Sequence, residues 1–263
     1  MEYPIYIVDA FAAHLFTGNP AAVCPLETWL TDETMQQLAA ENNLSETVFF
    51  VPQADGFYIR WFTPSTEVKL CGHATLAAAH VLYTLLNYPT NKIVFYSKSG
   101  PLEVTRNQDA SITLNFPSNP PEAVAEIPEG LFEGLGIEIA PVFKTSFDYM
   151  VVLPNQQAII DLQPDFSKLA MVKARGVIAT AIGLETDFVS RCFYPQSGVN
   201  EDPVTGSAHT IMTPYWAAHF NKISLSAIQL SARTGYLQLE LMGNRVAITG
   251  KAITYLKGHF QIN

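Results

Sequence analysis

The chain has 263 residues, of which 48% are hydrophobic and 15% are charged, and its formal net charge is −9. This composition indicates a folded protein with an apolar interior, and the negative charge disfavours nucleic acid and anionic membranes as partners. No apolar run reaches the roughly 18–20 residues of a membrane-spanning helix, and residues 1–4 lack the pattern of a signal peptide, so we expect a cytoplasmic protein. The three cysteines are odd in number and widely spaced, which favours reduced thiols.

The first part of the chain alternates short apolar runs with polar turns, which predicts a β-rich fold with few helices. Gly18-Asn19-Pro20 marks a loop, and Thr31 or Asp32 is a candidate helix cap. In chain order the predicted elements are strands 5–11 and 21–24, a helix to residue 41, strands 48–51 and 57–62, an apolar helix 75–86, and a meander of strands over 93–116.

Residues 117–128 are rich in Pro and Ala and are the best candidate for a linker, after which the pattern of the first half recurs. Arg60, Glu67 and Gly72 recur in the same order as Arg191, Glu201 and Gly206. Such a duplication predicts an α+β protein with two β-barrel-like lobes, 1–117 and 118–249, each around a central helix. The tail 250–263 is a candidate to return to the first lobe, and the cleft between the lobes is the expected site.

Each copy of the repeat ends in a glycine that opens an apolar helix. Exposed N–H groups at a helix N-terminus bind anions, so the turns at Gly72-His73-Ala74 and Gly206-Ser207 are predicted to hold a substrate carboxylate. For a single glycine, a tight turn with close packing is the simpler interpretation. The repeat favours the anion-binding one.

The candidates for proton transfer are Glu46, His73, Asp202 and His209. Glu46 is a lone carboxylate where a polar turn meets an apolar strand, and its alternative role is a turn or helix cap. Asp202 is held by Pro203, and it could equally cap the following helix. We expect His73 to be a neutral imidazole, because burial beside a helix N-terminus lowers the pKa of a histidine.

Cys71 suggests two sharper mechanisms, a nucleophile or one base of a two-base racemase. Its partner in the repeat is Thr205, so a paired-thiol mechanism is incomplete. A Cys–His hydrolase is disfavoured, since Cys71 and His73 would point apart along an extended turn. Cys71, His73 and His80 are too few for a zinc site at any standard spacing, and we expect neither metal nor cofactor.

Five segments together resemble the phenazine-biosynthesis (PhzF-like) isomerase family. They are Val8-Asp9-Ala10-Phe11, residues 18–23 (Gly-Asn-Pro-Ala-Ala-Val), Ser45-Glu46-Thr47, residues 70–75 (Leu-Cys-Gly-His-Ala-Thr) and residues 201–209 (Glu-Asp-Pro-Val-Thr-Gly-Ser-Ala-His). The resemblance covers nearly the whole chain, and it implies the diaminopimelate epimerase-like fold. Family members are commonly homodimers.

The type member of that family isomerises a dihydro-hydroxyanthranilate without a cofactor, and the resemblance makes Glu46 its matching acid and base, assisted by His73 and Asp202. Gly72 and Ser207 lie where the related epimerases place catalytic cysteines. The resemblance does not fix the substrate. The residues expected to bind it are Asn19, Gly72, Ala74, Gly206 and Ser207.

The sequence therefore predicts a cofactor-independent isomerase that shifts a proton on a small carboxylate-bearing substrate, which could be cyclic and unsaturated. Two alternatives stay open. One is an amino-acid racemase or epimerase, and the other is a non-catalytic small-molecule binding protein with the same fold.

Overall fold

The computed structural model describes residues 1–262 and contains eighteen strands and six α-helices in that range. The helices are α1 (Asp32–Asn42), α2 (Gly72–Thr84), α3 (Leu131–Leu135), α4 (Gln156–Ile160), α5 (Phe166–Leu169) and α6 (Gly206–Phe220). The strands are β1 (Glu2–Ala10), β2 (Asn19–Pro25), β3 (Glu46–Gln53), β4 (Gly56–Phe62), β5 (Glu67–Val68), β6 (Lys92–Ser97), β7 (Gly100–Arg106), β8 (Ile112–Pro117), β9 (Glu122–Ala123), β10 (Val142–Lys144), β11 (Asp148–Val152), β12 (Gly176–Ile182), β13 (Phe188–Tyr194), β14 (Val199–Asp202), β15 (Ser224–Gln229), β16 (Gly235–Met242), β17 (Arg245–Gly250) and β18 (Ala252–Gln261).

The chain divides into two units, the first formed by residues 1–116 with 248–262 and the second by residues 117–247. In the first unit β18 pairs with β1, β1 with β2, and β2 runs parallel to β3. The sheet continues through the antiparallel pair β3–β4, and β4 then pairs with both the short β5 and the parallel β6. Strands β6, β7 and β8 follow as the predicted meander.

The second unit repeats this pairing scheme. Strand β11 is parallel to β12, β12 is antiparallel to β13, and β13 pairs with the short β14 and the parallel β15. Strand β15 then turns back into β16, as β6 does into β7. The duplication predicted from the sequence is therefore present in the strand order of both units.

One long apolar helix is buried in each unit, as predicted. In α2, 11 of 13 residues are buried, and in α6, 9 of 15. The small side chains of Ala77 and Ala78 are fully buried in α2, which packs against strands β1, β2, β3, β7 and β18. The start of α2 was predicted three residues too late, because Gly72 and His73 already form its first turn.

Helix α6 contains a proline in its interior at Pro214. A proline has no N–H to donate to the carbonyl four residues earlier, which here belongs to Thr210. That carbonyl instead accepts a hydrogen bond from the backbone N–H of Asn119, at 3.0 Å. The predicted linker 117–128 thus supplies a backbone contact to α6, and it also contains β9, which pairs with β10.

Gly18 precedes Asn19 in a position that only glycine fits. Its φ is +69°, and a Cβ there would lie 2.2 Å from the carbonyl oxygen of Ala10 and 2.8 Å from the Cβ of Ala12. We expect Gly18→Ala to lower the free energy of unfolding by at least about 1–3 kcal/mol, measured by urea denaturation. Gly243→Ala is the control, since Gly243 has a similar φ of +63° with open space around it. Equal losses in the two variants would show that the Ala10 contact does not matter.

Candidate functional site

Two of the predicted site residues meet at one edge of the first unit's sheet. Asn19 is the first residue of β2 and Glu46 is the first residue of β3. These strands are parallel neighbours, so their amino-terminal ends lie at the same edge, with Glu46 in register with Ala21. The Asn19 side chain is fully buried, whereas 17% of the Glu46 side chain remains exposed. The Glu46 side chain therefore contacts both the protein interior and solvent.

The N-terminus of α2 brings His73 to this edge. The Nδ1 atom of His73 lies 3.1 Å from Nδ2 of Asn19, and its Nε2 atom lies 3.1 Å from Oε2 of Glu46. The His73 side chain is only 4% exposed. Asn19 and Glu46 thus contact different ring nitrogens of the same buried histidine.

Cys71 belongs to the same cluster, contrary to the prediction that it would point away from His73. Its Sγ atom lies 3.5 Å from Nδ1 of His73. The prediction failed because it assumed an extended turn, whereas Cys71 is the N-cap of α2 and His73 is already in the first helical turn. The first turn is closed by Thr75, whose hydroxyl donates to the Cys71 carbonyl at 2.5 Å.

The charge states of this cluster differ from those expected. Burial raises the pKa of the Cys71 thiol to about 11, and the carboxylate of Glu46 acts in the same direction. For His73, burial lowers the pKa, but the interactions with Cys71 and with the carboxylate of Glu46 outweigh burial and hold the pKa above its ordinary value. The expectation of a lowered pKa was therefore wrong, because it omitted these neighbours. The carboxylate of Glu46, which lies 3.1 Å from Nε2, therefore favours the protonated form of the His73 ring.

The contact between His73 and Glu46 leaves hydrogen-bonding capacity unused. Nε2 of His73 and Oε2 of Glu46 are both buried, and their close approach does not have hydrogen-bond geometry. Buried polar atoms without a hydrogen bond are uncommon in folded proteins and call for an explanation. A ligand atom that bonds to both groups would supply one.

The other predicted residues at this helix start, Gly72 and Ala74, are buried. In the second unit, Gly206 is likewise the first residue of α6 and is buried, while Ser207 is half-buried. Each predicted glycine thus begins the long helix of its own unit.

Asp202 lies at the end of β14, within a polar network of the second unit. Its Oδ2 accepts a hydrogen bond from the hydroxyl of Thr205 at 2.5 Å. The amide of Gln229 donates to the Asp202 carbonyl and accepts from the N–H of Thr205. Gln229 was missed in the sequence, because it stands on β15 outside every motif. The network fixes the turn that leads into α6.

Glu67 and Glu201, the repeated acids, have a structural role. Arg60 donates to both oxygens of Glu67 at 2.8 and 2.9 Å, and Arg191 donates to both oxygens of Glu201 at 2.8 Å. Each guanidinium also lies over the phenylalanine two residues later, at 5.1 and 5.3 Å. Bidentate pairs of this kind fix the relative orientation of the two side chains. The recurring Arg and Glu therefore hold together the two strands that precede each glycine turn.

His209 is a buried structural histidine with a testable pH effect. Its Nδ1–H donates to the Thr205 carbonyl at 2.8 Å, and burial lowers its pKa to about 4. Between about pH 6.5 and 4 the unfolded chain binds a proton that the folded protein excludes, so stability falls as pH falls through this window. The expected loss from His209 is about 1.4 kcal/mol per pH unit below 6.5. Urea denaturation at pH 7 and 5 checks this. His209→Gln should reduce the slope but not abolish it, because burial also lowers the pKa of His80 to about 4; an unchanged slope would contradict the assignment.

Residues 8–258 match the family described as phenazine biosynthesis-like protein. An uncharacterized isomerase of Pseudomonas aeruginosa is 52% identical over 258 residues, which cover 98% of each chain. The chain belongs to the phenazine biosynthesis-like family. Within residues 1–262 of this family member, no helix is both long and apolar enough to cross a membrane.

Solved structures confirm the predicted α+β fold. A PhzF-family protein from Enterococcus faecalis has a TM-score of 0.95 to this phenazine biosynthesis-like protein at 45% identity, covering 100% of both chains. A hydroxyproline epimerase from Agrobacterium vitis has a TM-score of 0.62 at 10% identity, covering 98% of this chain and 92% of that one. At 10% identity, the similarity to the hydroxyproline epimerase concerns the fold alone. Family and fold therefore agree with the resemblance seen in the sequence motifs.

Proposed function

We propose that this protein is a cofactor-independent isomerase that moves a proton between carbons of a small, carboxylate-bearing substrate. The observation that carries the proposal is the 3.1 Å contact between Nε2 of His73 and Oε2 of Glu46, two buried atoms that both retain hydrogen-bonding capacity. A general acid and base must hold a proton in one step and release it in the next. The relatives' isomerase names support the same reaction class.

In the proposed mechanism Glu46 removes a proton from one carbon and returns it to another. Its partial exposure allows contact with a substrate, while β3 fixes its backbone. His73 stabilises the carboxylate when Glu46 is deprotonated, and Asn19 holds the ring from the opposite side. The N–H groups in the first turn of α2 favour an anion, which suits a substrate carboxylate. Asp202, Gly206 and Ser207 remain proposed contributors from the second unit.

The test begins with ligands, because no substrate is identified. We suggest a thermal-shift screen of small unsaturated and cyclic carboxylates, followed by incubation of each stabilising compound with the protein in deuterated water. Proton NMR should then show deuterium entering at the carbon that receives the proton. Compounds that stabilise the protein but never exchange a carbon-bound proton would favour a binding protein without turnover.

An amino-acid racemase or epimerase is the second candidate, and the position of Cys71 favours it. The thiol lies in the same cluster as Glu46 and His73, so a second base is at hand. Its pKa of about 11 argues against this role, since few thiolates form near neutral pH. Chiral chromatography of exchanged products separates the candidates: inversion at one carbon that is lost in Cys71→Ala would indicate an epimerase.

A further inference from the structure

Three side chains of different metal-ligand type meet at the start of α2. Ligand atoms of Glu46, Cys71 and His73 all lie within 4.8 Å of one another. Thiolate and imidazole together suit zinc and related thiophilic cations. The spacing of ligands in the sequence did not indicate this cluster, because the nearest third candidate along the chain was His80. In the fold, Glu46 reaches Cys71 and His73 from strand β3.

The distance between the Cys71 sulfur and the nearer ring nitrogen of His73 fits two ligands of one metal ion. Sulfur and nitrogen ligands of one tetrahedral zinc ion, with bonds of about 2.3 and 2.0–2.1 Å, lie about 3.5 Å apart. Sγ of Cys71 and Nδ1 of His73 are separated by 3.5 Å. The other ring nitrogen, Nε2, faces the carboxylate of Glu46 at 3.1 Å. Metal-bound histidines commonly present their second nitrogen to a carboxylate in this way.

We propose that this cluster is an inhibitory binding site for a thiophilic divalent cation such as Zn²⁺. Cys71 Sγ and His73 Nδ1 are the protein ligands, and Glu46 orients His73 from the far side. The Asn19 amide, whose Nδ2 lies 3.1 Å from Nδ1 in the metal-free protein, must rotate away from Nδ1 when the ion binds, and water completes the coordination. The inhibitory effect rests on the proposed function, since the ion would bind His73, the residue that partners Glu46 in the proposed proton transfer. The binding itself does not depend on that assignment.

Binding must release protons, because the ligands bind in their deprotonated forms. The Cys71 thiol gives up its proton as the metal–sulfur bond forms, and His73 binds as the neutral imidazole with its remaining proton on Nε2. The reaction involves no electron transfer. Acidification is therefore expected to weaken metal binding, and metal addition to weakly buffered protein should lower the pH.

Cobalt(II) is the best probe, since it substitutes for zinc and reports a thiolate ligand through a charge-transfer band in the near ultraviolet. Titration of the full-length protein with CoCl₂ should give this band at one ion per chain, and ZnCl₂ should remove it. Cys71→Ser should abolish the band, whereas the matched thiol variant Cys192→Ser should retain it. Glu46→Gln should keep the band but weaken the affinity about 10–100-fold, as expected for a carboxylate behind a metal-bound histidine.

The absence of a charge-transfer band in the wild-type protein would overturn the proposal, as would a band of equal strength in Cys71→Ser. Circular dichroism and thermal unfolding establish that each variant is folded, and Cys71→Ala provides a second variant if the serine is destabilising. Deuterium exchange is measured separately. If cobalt binds but no carboxylate exchanges a proton, the metal site is supported and only the proposed isomerase function is contradicted. If exchange occurs but is unaffected by Zn²⁺, the proposed inhibition is refuted.

Discussion

Glu46→Gln is expected to lower the rate of solvent-deuterium exchange by about 10²–10⁴-fold, the usual contribution of a general acid or base. The amide keeps the size of the carboxyl group but cannot accept and return a proton. It also removes the negative charge that faces His73 at 3.1 Å, so the imidazolium should become less stable. Rates are measured by NMR on the substrate that the ligand screen provides.

The control for this prediction is Glu41→Gln, which removes one exposed carboxylate from α1 in the same unit. It should leave exchange unchanged. Substrate affinity, followed by thermal shift, should change little in Glu46→Gln compared with the exchange rate. Full exchange activity in the Glu46 variant would exclude Glu46 as the catalytic base.

Arg175→Gln is expected to reduce the free energy of unfolding by about 3–5 kcal/mol, because it leaves a buried carboxylate without its cation. The side chain of Asp148 has no exposed surface, and Arg175 contacts both of its oxygens, one through Nε at 2.9 Å. The guanidinium also lies over the rings of Phe147 and Tyr194. Urea denaturation near pH 7 measures the loss.

Lys92→Gln is the matched control, since Lys92 and Glu103 form an ion pair with both side chains about half exposed. Exposed pairs contribute roughly 0–1 kcal/mol, so this variant should be nearly as stable as the wild type. Asp148→Asn combined with Arg175→Gln should recover part of the loss, because it removes the buried charge. If the single variant Arg175→Gln is as stable as Lys92→Gln, the buried carboxylate of Asp148 does not need its cation and the prediction is wrong.

The repeat made the fold predictable from the sequence. Arg60 and Glu67 stand near each other in the chain, as do Arg191 and Glu201, so their recurrence was visible without a structure. The physical reason for the recurrence, a bidentate ion pair beside each glycine turn, required coordinates. The helix cap at Thr31 was equally local and is confirmed, since its hydroxyl accepts from the N–H of Thr34.

Features that join distant or unlike segments could not be predicted in this way. The Cys71–His73 contact depends on where α2 begins, and a shift of three residues in that boundary reversed the expected side-chain directions. The raised pKa of His73 depends on Glu46, which the chain supplies from another strand. Asp148 and Arg175 carry no motif at all. Sequence patterns therefore do not contain the pairwise electrostatics between segments that are distant in the chain.

The return of β18 to the first unit has a consequence for biosynthesis. Strand β1 is synthesised before the whole second unit, yet its partner over residues 2–10, β18, is synthesised after it. Until then β1 has an unpaired edge opposite β2, and such edges promote association with other chains. The first unit thus completes its sheet only after the second unit has been synthesised, and a protein truncated before β18 would keep the unpaired edge of β1 permanently.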